Sequence, residues 1–144
     1  MKAWKIDHLG VAVASIGEAL PVYEALGLAE ARREDVPSQG VRTAFLPVGE
    51  SSIELLEPLS ADSPVGRFLK SRGPGLHHVC FRARTREDVD TAHRFLVEMG
   101  AVIVHPPEEG PWAPGYYSVL FEDPDGIRLE INHVPGRGLL EEKK

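Results

Sequence analysis

The sequence carries one pattern twice, and this repeat constrains the fold more than any other feature of its 144 residues. The segment "IDHLGVAVASIGEALPVYEALGL" runs from a strand pattern at Ile6 to Val13 into a helical pattern carrying Ile16, Leu20, Tyr23 and Leu26, and ends near Gly27. "LHHVCFRARTREDVDTAHRFLVEMG" does the same, with a strand from Leu76 to Phe81 and a helix carrying Val89, Ala92, Phe95, Leu96 and Met99 before Gly100. Glycine suits both helix ends because, without a Cβ, it takes positive φ at no steric cost. Each helix is followed by two strand-like runs across a turn: "VRTAFLPVG" with "SSIELLEP", then "YYSVLFEDPDG" with "IRLEINHV". A short strand after each helix, around 29–34 and 102–105, completes a β-α-β-β-β unit.

The repeat therefore predicts an α+β fold of two tandem βαβββ modules whose curved mixed sheets enclose a cleft. As a single domain over 1–144, it comprises module one at 5–59, a connector at 60–74, module two at 75–134 and an exposed tail at 135–144. Within the connector, "SPVGRFLKSRG" reads as a helix capped at Ser63. A chain of this length buries roughly 68–70% of its unfolded surface, so neither metal nor disulfide is needed merely to hold it together.

Composition narrows the partners. Sixteen Lys and Arg against 22 Asp and Glu give a formal charge of −6, with no basic block, which argues against nucleic acid. A few local cations can still dominate a cleft for an anionic substrate. The apolar runs are too short for a membrane span or a signal-peptide core, so a cytoplasmic location is expected and no membrane partner. Cys80 is the single cysteine; it forms no intrachain disulfide or thiolate cluster and is expected to pack as a small hydrophobe.

Period two sorts the strand faces. Leu9, Val11 and Val13 share the side that meets the first helix, which leaves His8 facing the cleft with Gly10 and Ala12. On the module's last strand Ile53 and Leu55 share one face and Glu54 takes the other. Module two repeats this, with Leu129 and Ile131 against Glu130, and His77, Val79 and Phe81 against His78. His8 and His78 lie 70 residues apart and Glu54 and Glu130 lie 76 apart, so one loop-length change of six residues relates the two sets. A buried carboxylate is expensive unless it is paired or metal-bound. Two imidazoles and two carboxylates at repeat-equivalent positions point to a mixed N/O site for Co, Ni, Mn, Fe or Zn, with about two octahedral positions left over. The simpler reading of each residue alone is an edge-strand charge or a hydrogen-bonded core histidine; the coincidence of all four outweighs it.

"IDHLGVAV", "VPSQGVRTAFLPVG", "IELLEPLSADSPVGRFLKSRG" and "GLHHVCF" resemble the methylmalonyl-CoA epimerases. These are members of the vicinal-oxygen-chelate superfamily, which also holds glyoxalase I, ring-cleaving dioxygenases and fosfomycin- and bleomycin-resistance proteins. The specific resemblance covers residues 5–82. In the second module "EDPDG" followed by "LE" is more similar to glyoxalase I. By resemblance His8, Glu54, His78 and Glu130 are the metal ligands; many epimerases carry Gln at the position of Glu54, whereas glyoxalase I carries Glu. Thr43 stands where some epimerases place a Glu proposed as a base.

The resemblance implies a metal-dependent epimerase of methylmalonyl-CoA that uses Co2+ or Mn2+ by preference, with Ni2+, Zn2+ or Fe2+ as other candidates. Glu130 is the leading base and Glu54 the candidate acid on the opposite face, on an acyl-CoA thioester substrate in a homodimer. The alternatives are a lactoylglutathione lyase-like metal enzyme acting on a glutathione adduct, and a non-catalytic small-molecule binding or resistance protein; the full ligand quartet argues against the latter. Lys70, Arg72 and Arg42 are candidates for CoA phosphates, with solvated charge as the simpler reading. Trp112, Tyr116 and Tyr117 read first as core or interface packing and second as a substrate cover, and Gln39 and Gly40 border the pocket. His77, His93, His105 and His133 rank below His8 and His78.

Overall fold

Each α-helix begins at a hydroxyl side chain that accepts a hydrogen bond from the backbone N–H three residues on. Ser15 accepts from Glu18 ahead of α1 (Ile16–Ala25), Ser63 from Gly66 ahead of α2 (Pro64–Arg72), and Thr85 from Asp88 ahead of α3 (Arg86–Glu98). The connector helix thus starts at the cap expected from the sequence, where the hydroxyl satisfies one of the otherwise unpaired N–H groups of the first turn. The computed structural model describes residues 1–136; of the expected tail only Pro135 and Gly136 lie among them, and the rest lies outside the described residues.

Together with the helices, eight strands make a mixed α+β fold: β1 (Lys5–Ala12), β2 (Arg32–Val36), β3 (Val41–Val48), β4 (Ser51–Pro58), β5 (Gly75–Arg82), β6 (Val102–Glu109), β7 (Tyr117–Glu122) and β8 (Arg128–His133). The chain divides into two units, one of His8–His77 and one of Met1–Asp7 with His78 onward, so the divisions fall inside β1 and inside β5. In the first unit the strand order is β2-β3-β4-β1, with β1 parallel to β4 and the other pairs antiparallel. The second unit has the corresponding order β6-β7-β8-β5, with β5 parallel to β8. Among the described residues no helix is long and apolar enough to cross a membrane.

Each unit has its own core, and in both the strand face beneath the helix is the apolar one. In the first, Ile16 of α1 packs with Ala44, Leu46 and Leu55, and Val11, Val13 and Ile53 close on them. In the second, Val89 and Ala92 of α3 pack with Ala83, Val119 and Ile131. Cys80 is fully buried, as expected of a small hydrophobe.

Expectations for three residues and two strands are corrected. Leu26, Phe95 and Met99 are 76%, 53% and 74% exposed and so take no part in the core. Successive helical residues turn by about 100°, which leaves Phe95 roughly 120° round the helix from Val89, while Leu26 and Met99 are capping residues beyond the last helical turn. The strand expected at 29–34 lies at Arg32–Val36, where it pairs with β3 from Val36↔Val41 to Arg32↔Phe45 around the short 3-10 turn Pro37–Gln39. The strand expected at 102–105 continues to Glu109, through Pro106 and Pro107. It is the last strand in the order, and its pairing with β7 shifts register between Ile103 and His105 and again between His105 and Glu108. Proline, which has no N–H to give a ladder, is tolerated at such edges and bulges.

Gly66 marks the tightest approach in α2. A Cβ there would lie 2.4 Å from the Ser60 carbonyl oxygen and 2.6 Å from that of Ala61, and backbone cannot yield as a side chain can. Gly66→Ala is therefore expected to destabilise the protein by about 1–3 kcal/mol, the usual cost of overpacking a closed site. Urea unfolding would show this as a lower midpoint with an unchanged slope.

Candidate functional site

The parallel pairing of β1 with β4 places Gly10 opposite Glu54, and His8 opposite Ser52 one pleat away on the same face. With no side chain at Gly10, nothing on that strand stands between the His8 imidazole and the Glu54 carboxylate. His8 Nε2 lies 3.6 Å from Glu54 Oε2, and both side chains are buried. The second unit repeats the arrangement. Cys80, another small residue, stands opposite Glu130, and His78 Nε2 lies 3.5 Å from Glu130 Oε1. The histidine selected from "GLHHVCF" by period two is thus the one beside the carboxylate, whereas His77 packs its ring on Phe68 at 4.8 Å between centroids.

These separations exceed the roughly 2.7–3.2 Å of a good N–H···O hydrogen bond. Two donors bound about 2.1 Å from a common ion at 90–109° stand roughly 3.0–3.4 Å apart, close to both values. A buried imidazole nitrogen and a carboxylate oxygen at this spacing, once in each unit, form a donor set that fits a borderline divalent cation.

Glu130 has a partner that the sequence reading did not assign to it. The Tyr116 hydroxyl donates to Glu130 Oε2 at 2.6 Å, within the second unit and buried. Burial, and then the negative charge of Glu130, push the Tyr116 phenol well above its ordinary range, so it stays a hydrogen-bond donor at neutral pH. A signal for this was present. In "YYSVLF" the residues Tyr117, Val119 and Phe121 form the core face, so the alternate set Tyr116, Ser118 and Leu120 faces with Glu130, which pairs with Leu120.

The remaining candidates are placed as follows. Arg42 donates through Nε and Nη2 to Asp35 and through Nη1 to Glu57, so its guanidinium is engaged by two carboxylates; the hydrogen bond from Arg42 in turn holds the Asp35 carboxyl below its ordinary range. Lys70 and Arg72 lie exposed in the last turn of α2, where positive charge complements the helix dipole. Thr43 is buried on β3, and its hydroxyl contacts the Glu34 carbonyl at 3.4 Å. Tyr117 donates to Asp90 at 2.5 Å while the Arg86 guanidinium covers its ring, which fixes it as packing between α3 and β7. Gln39 ends the 3-10 turn before Gly40, which is left-handed at φ 63°.

Comparison with known proteins gives three results. A sequence model of the Glyoxalase/Bleomycin resistance protein/Dioxygenase superfamily matches residues 5–131. An ethylmalonyl-CoA/methylmalonyl-CoA epimerase of Cereibacter sphaeroides is 33% identical over 135 residues, 90% of this chain and 98% of that one, and an uncharacterised protein of Bacillus subtilis, YqjC, is 50% identical over 78 residues. The second match spans 54% of this chain and 56% of that protein. A solved methylmalonyl-CoA epimerase in complex with methylmalonyl-CoA and ammonium superposes with a TM-score of 0.81 at 27% identity, covering 95% of this chain and 99% of that one.

Proposed function

The chain belongs to the Glyoxalase/Bleomycin resistance protein/Dioxygenase superfamily, and from that premise we propose that it is a divalent-metal-dependent epimerase of methylmalonyl-CoA. The candidate ligands are His8 and Glu54 in the first unit and His78 and Glu130 in the second, with Co2+ or Mn2+ favoured. The observation that carries this reading is the twin His–Glu pair, with separations of 3.6 and 3.5 Å at positions the repeat makes equivalent. Similarity to an epimerase over 90% of the chain supports the choice of substrate.

When bound, the ion supplies positive charge beside the carbonyl oxygens and so favours loss of the neighbouring proton. Glu130 accepts the C2 proton, and Glu54 returns one on the opposite face, each through a carboxylate oxygen that must first loosen from its place as a ligand. The C2–H bond breaks with its electron pair left on the acyl group and re-forms from the other side, so nothing is oxidised or lost. Burial of both carboxylates keeps water from competing for the proton. Two-fold self-association belongs to the same reading, and the mass in solution tests it.

The deciding experiment is exchange of the C2 proton of methylmalonyl-CoA in deuterated water, with protein stripped of metal and then reloaded with Co2+ or Mn2+. Exchange with loss of stereochemistry is expected only after reloading. No exchange from a protein that still takes up one metal per chain would move the reading to a glyoxalase-like lyase, consistent with Glu rather than Gln at position 54.

A further inference from the structure

We infer that Tyr116 is a positioning residue for the second-unit metal ligand, holding Glu130 so that a single oxygen, Oε1, is presented beside His78. This rests on the reading that His78 and Glu130 bind an ion. The phenol donates to Glu130 Oε2 at 2.6 Å, while Oε1 lies 3.5 Å from His78 Nε2, so the two carboxylate oxygens have separate tasks. A carboxylate with one oxygen tied this way has lost the freedom to swing both oxygens toward an ion.

The segment before Tyr116 is built to keep the ring in place. The Gly110 N–H donates to the Tyr116 carbonyl and the Tyr116 N–H donates to the Ala113 carbonyl, each at 3.1 Å, which closes 110–116 into a tight loop. The Trp112 indole lies against Gly110 so closely that a Cβ there would come within 2.8 Å of its ring and 3.4 Å of the Tyr116 ring. At the other end Gly115 is left-handed at φ 73°, and a Cβ on it would meet the Pro135 ring at 2.8 Å. Tyr116 itself is 2% exposed. A side chain at Gly110 would thus press on the Trp112 ring and touch that of Tyr116, while Gly115 holds a backbone conformation that other residues rarely adopt.

Module one has no such device at the matching place. Ala44 pairs with Leu55 next to Glu54, and Val119 pairs with Ile131 next to Glu130. Three residues before Ala44 stands Val41, and three before Val119 stands Tyr116, and valine has no side-chain donor. The two His–Glu pairs match in spacing but differ in how this register position treats their carboxylates.

The test compares Co2+ binding to the whole protein with that of Tyr116→Phe, following affinity by titration and ligand geometry by the visible absorption of the bound ion. Circular dichroism checks that each variant is folded. Tyr116→Phe is expected to weaken Co2+ binding about 10- to 100-fold, as loss of a partner that orients a metal ligand typically does, and to shift the visible bands. Its kcat for C2 exchange is expected to fall with KM within about twofold, since the partner acts on the ligand and not on CoA. Gly110→Ala keeps the hydroxyl but displaces the ring, and is expected to shift the bands in the same direction. Wild-type affinity and bands in a folded Tyr116→Phe, or in Gly110→Ala if Tyr116→Phe does not fold, would overturn the inference and leave the proposed function standing. Shifted bands in a protein that never exchanges the C2 proton would uphold Tyr116 and overturn the substrate. A wild-type protein that takes up no Co2+ would overturn both.

Discussion

Glu130→Gln is expected to slow C2 proton exchange by roughly 10²- to 10⁴-fold, the range a positioned general base contributes, with metal content close to that of the wild type. Glutamine has nearly the same shape and can keep its one amide oxygen toward His78, which turns its NH2 toward Tyr116, where the phenol oxygen accepts instead of donating. What it loses is the ability to take up a proton at neutral pH. The substitution therefore separates the chemical role of the side chain from its role as a ligand, which an alanine would not. Single-turnover exchange in deuterated water with metal analysis on the same sample provides the check. Normal turnover at normal metal content would remove Glu130 as the base.

The second large effect concerns stability. Asp7 and Arg82 are both buried in the second unit: Arg82 Nε and Nη2 contact Asp7 Oδ1 at 2.8 and 2.6 Å, and Asn132 Nδ2 donates to Asp7 Oδ2 at 3.2 Å. Asp7→Ala leaves a buried guanidinium without its carboxylate, which is expected to cost about 3–5 kcal/mol. That is a large share of the roughly 5–15 kcal/mol by which a domain is stable at all. The double substitution Asp7→Leu with Arg82→Met removes both charges and is expected to recover most of the loss, because a well-packed apolar pair avoids the cost of desolvating two ions. Urea unfolding of the two variants and the wild type measures this; a loss below about 1 kcal/mol in Asp7→Ala would show that water or another group takes over the guanidinium.

Sequence periodicity reached far in this protein because the repeat supplied two readings of each strand. His8 beside Glu54 and His78 beside Glu130 followed from alternation alone, since a residue's face is fixed by its parity once the apolar set is known. Ser63 as the cap of α2 was legible for a similar local reason. Parity also contained Tyr116, but the adjacent Tyr117 made the pair look like general packing, and only the strand start at Tyr117 separates the residue that pairs with Asp90 from the one that meets Glu130. The extent of β6 was not legible, because Pro106 and Pro107 signal a loop unless the strand is known to lie at an edge. The link between Asp7, Arg82 and Asn132 was invisible for a different reason: no pattern of short period connects positions 75 and 125 residues apart.

That long reach bears on how the chain comes together during synthesis. The pairings of β2, β3 and β4, and of β4 with His8–Ala12, all lie within 8–77 and can form as soon as that stretch has left the ribosome. Asp7 must wait for Asn132, and at ordinary elongation speeds of about 5–20 residues per second those 125 residues take roughly 6–25 s to make. Arg82 follows Asp7 by 75 residues and is made first, so the carboxylate can meet the guanidinium while the loop-closure entropy of joining it to Asn132 is met only at the end. The order of translation is therefore not the order of assembly: Asp7 completes its set of native partners only once β8 has been made, and a nascent chain stalled before β8 would leave it without Asn132.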